Sequence, residues 1–255
     1  MNGQFADGIP ECIIDDPSAA SPIGYSKSKW VAEQICHNVN RDFPRMRGRI
    51  AVFRVGQLSG DSERGIWNTQ EAWPMMLSSV KATKALPVLQ GEPLSWLPVD
   101  VAADAFLDAL DVLSNSDAGT SDEDEACETR VYHVVNEHKE PRWMDLLGWL
   151  EEFGEDFEVL EVREWLRRLE ELERSGIDHP ALRLLGHWKD AYGDDAAGGP
   201  GREGKRGRGK GGEEGEEEAR FQMETTKLAL PSLRNGGEVD KAYFGKLWEY
   251  IKSSA

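Results

Sequence analysis

The sequence predicts an α/β fold: a buried parallel sheet joined by helical crossovers. Two short runs rich in β-branched and aromatic residues, Arg49-Ile-Ala-Val-Phe-Arg-Val55 and Val131-Tyr-His-Val-Val135, read as buried strands. Before and between them, apolar residues recur at three- and four-residue steps, which is the period of one helix face. The order over residues 24–135 is therefore helix, strand, helix, helix, loop, strand. Strands so far apart in sequence are joined by crossovers rather than hairpins.

Each element has its own local reason. Residues 1–23 hold Gly3, Gly8, Pro10, Pro17 and Pro22 among acidic residues and show neither period, so they read as loop. Trp30, Val31, Ile35 and Val39 then mark a helix from Tyr25 to about Asp42, ended by Pro44 and Gly48. The first strand closes at Gly56. Helical periodicity returns over residues 71–84, and a loop with Pro87, Gly91, Pro93 and Pro98 leads to Asp100, an expected N-cap. Beyond it Val101, Ala102, Ala105, Phe106, Ala109, Leu110 and Leu113 form one apolar stripe. A polar, acidic stretch at 114–129 precedes the second strand. After Asn136 the pattern is amphipathic helix around residues 143–153, 162–174 and 180–192, with a last helix at about 240–252. Ten glycines in the 28 residues from 193 to 220 predict a disordered insertion, because that composition buries too little apolar surface to offset ordering entropy. The expected division is a sheet-bearing domain at 1–135 and a helical subdomain at 136–255.

Composition excludes several classes of function. Thirty Lys and Arg stand against 47 Asp and Glu, a net charge of -17 over 255 residues, and so acidic a surface repels nucleic-acid backbones. No apolar run is long enough to span a membrane and the first thirty residues lack a secretory pattern. No membrane association is expected, and the expected location is cytoplasmic. Cys12, Cys36 and Cys127 are odd in number and widely spaced, which indicates neither a disulfide framework nor a zinc site. The histidines show no metal-binding spacing, so no metal is assigned. His133, inside a strand, reads as a hydrogen-bonded core residue, and Trp143, Trp149, Trp165, Trp188 and Trp248 read as core positions on helices, with a substrate-pocket role open for some. Arg54 is read either as partner to a cofactor or carboxylate, or as half of a structural ion pair.

The residues most suited to chemistry are Tyr25 and Lys29. Four apart at the start of a helix, they share one face. A phenol with its ordinary pKa near 10 is a slow acid at neutral pH, and an adjacent ammonium favours the phenolate. Such a tyrosine can pass a proton to a carbonyl oxygen while hydride moves at the carbon. The spacing alone is unspecific, and its context gives it meaning.

Gly24-Tyr-Ser-Lys-Ser-Lys-Trp30 with Val31-Ala-Glu33 resembles the active-site helix of extended short-chain dehydrogenases/reductases, and specifically the thioester reductase domains that terminate nonribosomal peptide synthetases and carboxylic acid reductases. Arg54-Val-Gly-Gln57 with Gly60, Trp96-Leu-Pro-Val-Asp100, Val131-Tyr-His-Val-Val-Asn136, Trp165-Leu166 with Leu169, and His179-Pro-Ala181 with Leu184-Leu185 are similar to later segments of that family, in family order. The resemblance covers about residues 10–190 and 220–255. It implies a Rossmann-type sheet with a mostly helical, substrate-side C-terminal subdomain. It further implies NADPH as cofactor, a phosphopantetheine-bearing carrier as partner, and reduction of a bound acyl or peptidyl thioester to aldehyde or alcohol. Tyr25 and Lys29 would then be catalytic and touch the cofactor, with Val55, Gly56 and Gln57 along the nicotinamide. The family's opening strand and Gly-x-x-Gly-x-x-Gly turn have no counterpart here, so the sheet is expected to lack its N-terminal strands. Ser18 and Ser21 follow no strand and are not assigned the family's carbonyl-orienting role. Two other readings stand beside this one: a catalytically inactive remnant without dinucleotide binding, and another extended reductase such as a fatty acyl-CoA reductase.

Overall fold

The computed structural model describes residues 7–115, 129–192, 220–234 and 236–254. In chain order its elements are α1 (Gly24–Asp42), β1 (Ala51–Val55), β2 (Gln57–Ser59), α2 (Ala72–Ser78), α3 (Val80–Thr83), β3 (Ala85–Pro87), β4 (Trp96–Pro98), α4 (Val99–Asn115), β5 (Arg130–Val134), α5 (Trp143–Glu152), β6 (Glu158–Leu160), α6 (Val162–Arg174), α7 (Leu185–Tyr192), α8 (Glu224–Ala229) and α9 (Lys241–Ser254). The two expected strands pair in parallel, Ala51 opposite Arg130 through Val55 opposite Val134. The fold is α/β, and among the described residues no strand precedes α1. The expected disordered insertion lies, apart from Arg220, outside the described residues, as does Cys127.

Contacts group the chain into two compact units. One takes Met1–Leu58, Ser95–Glu137 and Gly215–Glu238; the other takes Ser59–Leu94, His138–Glu214 and Val239–Ala255. The first holds the β1–β5 pair, and β4 pairs with β2, the strand on which the chain leaves this unit. Its core joins Leu97, Ala102, Ala105 and Ala109 to Tyr132, Val134, Met223, Leu230 and Leu233. Small alanines on the inner stripe of α4 let the helix lie close to the sheet. Half-buried Phe53 of β1 stacks on Phe106 at 4.4 Å, with Phe106 still 39% exposed.

Helix α1 is anchored differently. It starts without a side-chain cap and stops at Phe43, just before Pro44. Asn40 alone of its residues is buried. Polar contacts hold it: the Trp30 and Gln34 side chains both donate to the Ile14 carbonyl, at 2.7 and 3.1 Å, and Asn40 accepts from the Gly48 amide at 3.0 Å. Val31 and Ile35 remain 48% and 58% exposed.

The second unit is helical, with one parallel pair, Ala85–Pro87 against Glu158–Leu160. Tryptophans knit it together. Trp143 donates to the Pro87 carbonyl at 2.8 Å, Trp165 packs 4.9 Å from Trp188, and Trp248 donates to Glu155 at 2.9 Å. These four are fully buried, as expected, while Trp149 is half-buried. Tyr243 is buried too, and its hydroxyl donates to the Gly60 carbonyl at 2.6 Å with the Ser59 hydroxyl 2.7 Å away. Gly65, at φ +70°, sits against α9 so tightly that an added Cβ would stand 2.4 Å from the Lys246 carbonyl carbon.

Some elements depart from expectation. The helix predicted over 71–84 is two, α2 and α3, meeting at Ser79. Ser78 and Ser79 turn their hydroxyls back onto the Met75 and Met76 carbonyls, at 2.9 and 2.6 Å, competition that bends helices. Asp100 lies inside the first turn of α4 rather than at its N-cap. The helix predicted at 180–192 opens as a 3-10 turn, Pro180–Leu184, capped by His179, whose ring accepts from the Ala181 amide at 3.1 Å.

Candidate functional site

Tyr25 is the second residue of α1 and Lys29 lies one turn on. The Lys29 ammonium stands 5.2 Å from the Tyr25 ring centroid, within range of a cation–π contact. The ring is 70% exposed and Lys29 is also exposed, so both can be reached from solvent. Next to Tyr25, the Ser26 hydroxyl accepts from Ser21 at 2.6 Å, and the Tyr25 carbonyl accepts from the Ser28 hydroxyl at 2.7 Å. Ser18 is turned to the Asp16 carboxylate, with both its amide and hydroxyl donating.

Val55, Gly56 and Gln57 follow one another at the C-terminal end of β1, all three exposed. The Gly56 amide donates to the Val134 carbonyl at 2.9 Å and so continues the strand pairing. A Cβ at Gly56 would meet Val135 at 3.2 Å, so packing against β5 favours glycine there. The Gln57 amide group folds onto the Leu58 carbonyl at 2.7 Å.

The link between strand and helix lies one residue earlier. Arg54 grips Glu33 of α1 with two hydrogen bonds, Nε to Oε1 at 2.9 Å and Nη2 to Oε2 at 2.7 Å. It also donates to the carbonyls of Pro10 and Cys12, at 2.9 and 3.0 Å, and its Nη1 lies 3.2 Å from His133 Nε2. Of the two sequence readings of Arg54, the structural ion pair is the one observed. Glu33 had no assigned role, because its partner lies beyond a helix end and a turn.

His133 is fully buried, a core residue as expected. Its Nδ1 is 2.7 Å from the Gln222 carbonyl; a carbonyl only accepts, so Nδ1 carries the proton and Nε2 accepts from Arg54. Burial first, and then the Arg54 charge, push its pKa below the usual value. Around it residues 220–226 close as a strap. Ile9 exchanges hydrogen bonds with Arg220 and Gln222 at 2.6 and 3.0 Å. Glu11 accepts from the Thr225 and Thr226 amides at 2.8 and 2.5 Å, and the His133 amide donates to Thr226 Oγ1 at 2.9 Å.

A dinucleotide can be tested against these residues. The nicotinamide and ribose end would need a hydroxyl, a cation and accessible backbone, groups that the exposed Tyr25, Lys29 and Val55–Gln57 carry. The described residues hold no glycine-rich turn opening a helix, so the pyrophosphate end has no counterpart among them. No described cluster of His, Cys, Asp and Glu could hold a metal ion, and no described helix is long and apolar enough to cross a membrane.

Known proteins resemble this chain in sequence and in fold. Residues 11–106 match the NAD-binding family described as male sterility protein. The chain is 33% identical over 165 residues to the non-reducing polyketide synthase SAT8 of Stachybotrys chartarum, covering 64% of this chain and 6% of that protein. It is 32% identical over 139 residues to an adenylate-forming reductase of Aspergillus terreus, covering 54% of this chain and 11% of that one. Among solved structures, the terminal R domain from the myxalamid PKS-NRPS pathway superposes with a TM-score of 0.64 at 22% identity, over 97% of this chain and 54% of that one. The reductase domain of a nonribosomal peptide synthetase from Mycobacterium tuberculosis gives 0.61 at 19% identity, over 90% and 51%. The chain thus spans about half the length of these solved domains and a small part of the curated relatives. Residues 11–106 are thus similar to the male sterility protein family of NAD-binding domains, and the chain shares the α/β fold of the R domains.

Proposed function

We propose that this chain carries the proton-transfer and substrate-side part of an NADPH-dependent thioester reductase. Its substrate is an acyl or peptidyl thioester on a carrier's phosphopantetheine arm, released as aldehyde or alcohol. The observation that carries the reading is the Lys29 ammonium held over the exposed Tyr25 ring. Support also comes from a further similar structure, a thiolation-reductase di-domain from an archaeal nonribosomal peptide synthetase, which superposes with a TM-score of 0.55.

A reduced nicotinamide, when bound, supplies the hydride that the thioester carbonyl carbon accepts. Tyr25 gives its phenolic proton to the carbonyl oxygen as charge develops there, and the Lys29 ammonium stabilises the phenolate left behind. The resulting hemithioacetal expels the carrier thiol and leaves the aldehyde. Lys29 also offers donors to ribose hydroxyls, and Val55, Gly56 and Gln57 form the wall beside the ring.

Titration of NADPH fluorescence with the purified chain, followed by aldehyde detection from an acyl-carrier thioester, tests the reading. Micromolar binding, with turnover abolished in Tyr25→Phe and folding intact, is the expected result. Undiminished turnover in that variant, or no NADPH binding at all, would overturn it. Acyl-CoA offered in parallel identifies the acyl carrier used.

A further inference from the structure

Among the described residues, strand β1 has a neighbouring strand on one edge alone. The Gly56 amide donates to the Val134 carbonyl, and alternate residues along a strand turn their main-chain groups to the same side, so Val52 and Arg54 also face β5. The amides and carbonyls of Ala51, Phe53 and Val55 face the other way, where no described residue bonds them. The far edge of β5, by contrast, is in use, since the His133 amide donates to Thr226 Oγ1. An unbonded edge is a template for one more strand.

Beside this edge one flank of α4 is apolar and open. Val99, Ala103, Phe106 and Leu110 recur at steps of four and three and form one stripe along the helix. Val99, Phe106 and Leu110 are 41%, 39% and 58% exposed, and Leu107 next to them is 60% exposed. Stacking of Phe106 on Phe53 sets the stripe on the β1 side. The opposite flank of α4 is covered: Asp108 accepts from the Ser232 amide at 2.8 Å, and Val101 lies so near Gly236 that an added Cβ there would stand 2.5 Å from it. Asp104 and Asp111, seven residues apart, share a third face, which leaves the stripe free of exposed carboxylates.

The occupant of this surface can be narrowed. Residues 116–128 and 193–219 hold no run of β-branched or aromatic residues to form the strand. A second copy brings the same net charge of -17, which opposes association. The R domains superpose over 97% and 90% of this chain and have about half of their own length beyond it. Helix α1 points to the same occupant: its Glu33 bonds Arg54 of β1, crossover helices join parallel strands, and among the described residues no strand precedes it.

We propose that the outer edge of β1 and the apolar stripe of α4 form one docking surface, and that its occupant is a parallel β-strand from the half of an R-domain fold that this chain does not span. Successive side chains of β1 point to opposite faces, Phe53 to α4 and Arg54 to α1, so the incoming strand is covered on both. Its sequence is therefore a continuous run of Val, Ile or Leu rather than an alternating one. Its main chain bonds Ala51, Phe53 and Val55, and its side chains pack on Phe106 and Leu110.

The test compares main-chain amide exchange in the free chain with that in a fusion. The added segment, joined to Met1 by a Gly/Ser linker, is the part of the myxalamid R domain outside the superposed region. In the free chain Phe53 and Val55 exchange fast, and Arg54 and Gly56 slowly. In the fusion Phe53 and Val55 slow by about tenfold or more. Leu110→Asp removes that slowing while the Arg54 amide stays protected and reports an intact sheet. Fast exchange at Phe53 and Val55 in the fusion overturns the proposal, as does slowing that survives Leu110→Asp. Protection of both amides in the dilute free chain does so too, because the edge would then be closed by the chain itself. Protection that grows with free-chain concentration makes a second copy the occupant and overturns it equally. The readout needs neither cofactor nor turnover, so a failed reductase assay leaves it standing.

Discussion

Gly65 and Gly91 share a backbone conformation, φ +70° at both, and differ in what surrounds them. Around Gly91 an added Cβ meets nothing within 4 Å; at Gly65 it would stand 2.4, 2.5 and 2.6 Å from the Lys246 carbonyl carbon, the Lys246 oxygen and the Leu247 nitrogen. Gly91→Ala thus reports the left-handed conformation alone, about 1–2 kcal/mol, less about 0.4–1 kcal/mol for the stiffer unfolded chain. Gly65→Ala adds an overlap with main-chain atoms that no side-chain rotation relieves. Carbon atoms settle near 3.5–4.0 Å, so α9 must retreat by about 1 Å, and overpacking of this sort costs about 1–3 kcal/mol. The second variant should therefore be less stable than the first by about 1–3 kcal/mol. Urea unfolding followed by tryptophan fluorescence is the suitable assay, because Trp67, Trp73, Trp143, Trp149, Trp165, Trp188 and Trp248 all lie in the unit that contains both glycines. Equal midpoints for the two variants would refute the close approach of the residue 61–65 turn to α9.

Three further outcomes are expected. His133 is held neutral with a lowered pKa, so its contribution is complete above the unfolded value near 6.5 and is lost as pH falls below it; His179 shifts the same way. Urea midpoints should drop between pH 7.5 and 5.5, less steeply in His133→Gln, and an unchanged slope in that variant would count against the assignment. Tyr243→Phe leaves the Ser59 hydroxyl and the Gly60 carbonyl without their buried partner, and should cost about 1–3 kcal/mol in the same assay. Val31→Ser with Ile35→Ser, both on the exposed flank of α1, should leave unfolding nearly unchanged while lowering self-association in sedimentation at high concentration.

What was legible in the sequence was whatever repeats within one element. Tyr25 and Lys29 come together because four residues is one helical turn, and the two parallel strands showed as β-branched runs. The buried tryptophans followed from their helical spacing. The strands β2, β3, β4 and β6, three residues each, are too short to establish a period, and α8, of six residues, is equally silent. Contacts that need the chain to return from far away left no local mark. The Arg54–Glu33 grip spans a helix end and a strand, and the carbonyls of Pro10 and Cys12 carry no side-chain signature at all. Grouping of three separated stretches into each compact unit is likewise a property of tertiary contacts.

The strap at 220–226 has a consequence for the chain's continuity. Main-chain pairing with Ile9, the Glu11 carboxylate at two successive amides, and the ring and amide of His133 all fasten that stretch without help from the preceding covalent link. A protease nick anywhere between Tyr192 and Arg220 would accordingly yield two polypeptides on a denaturing gel and one particle in native buffer.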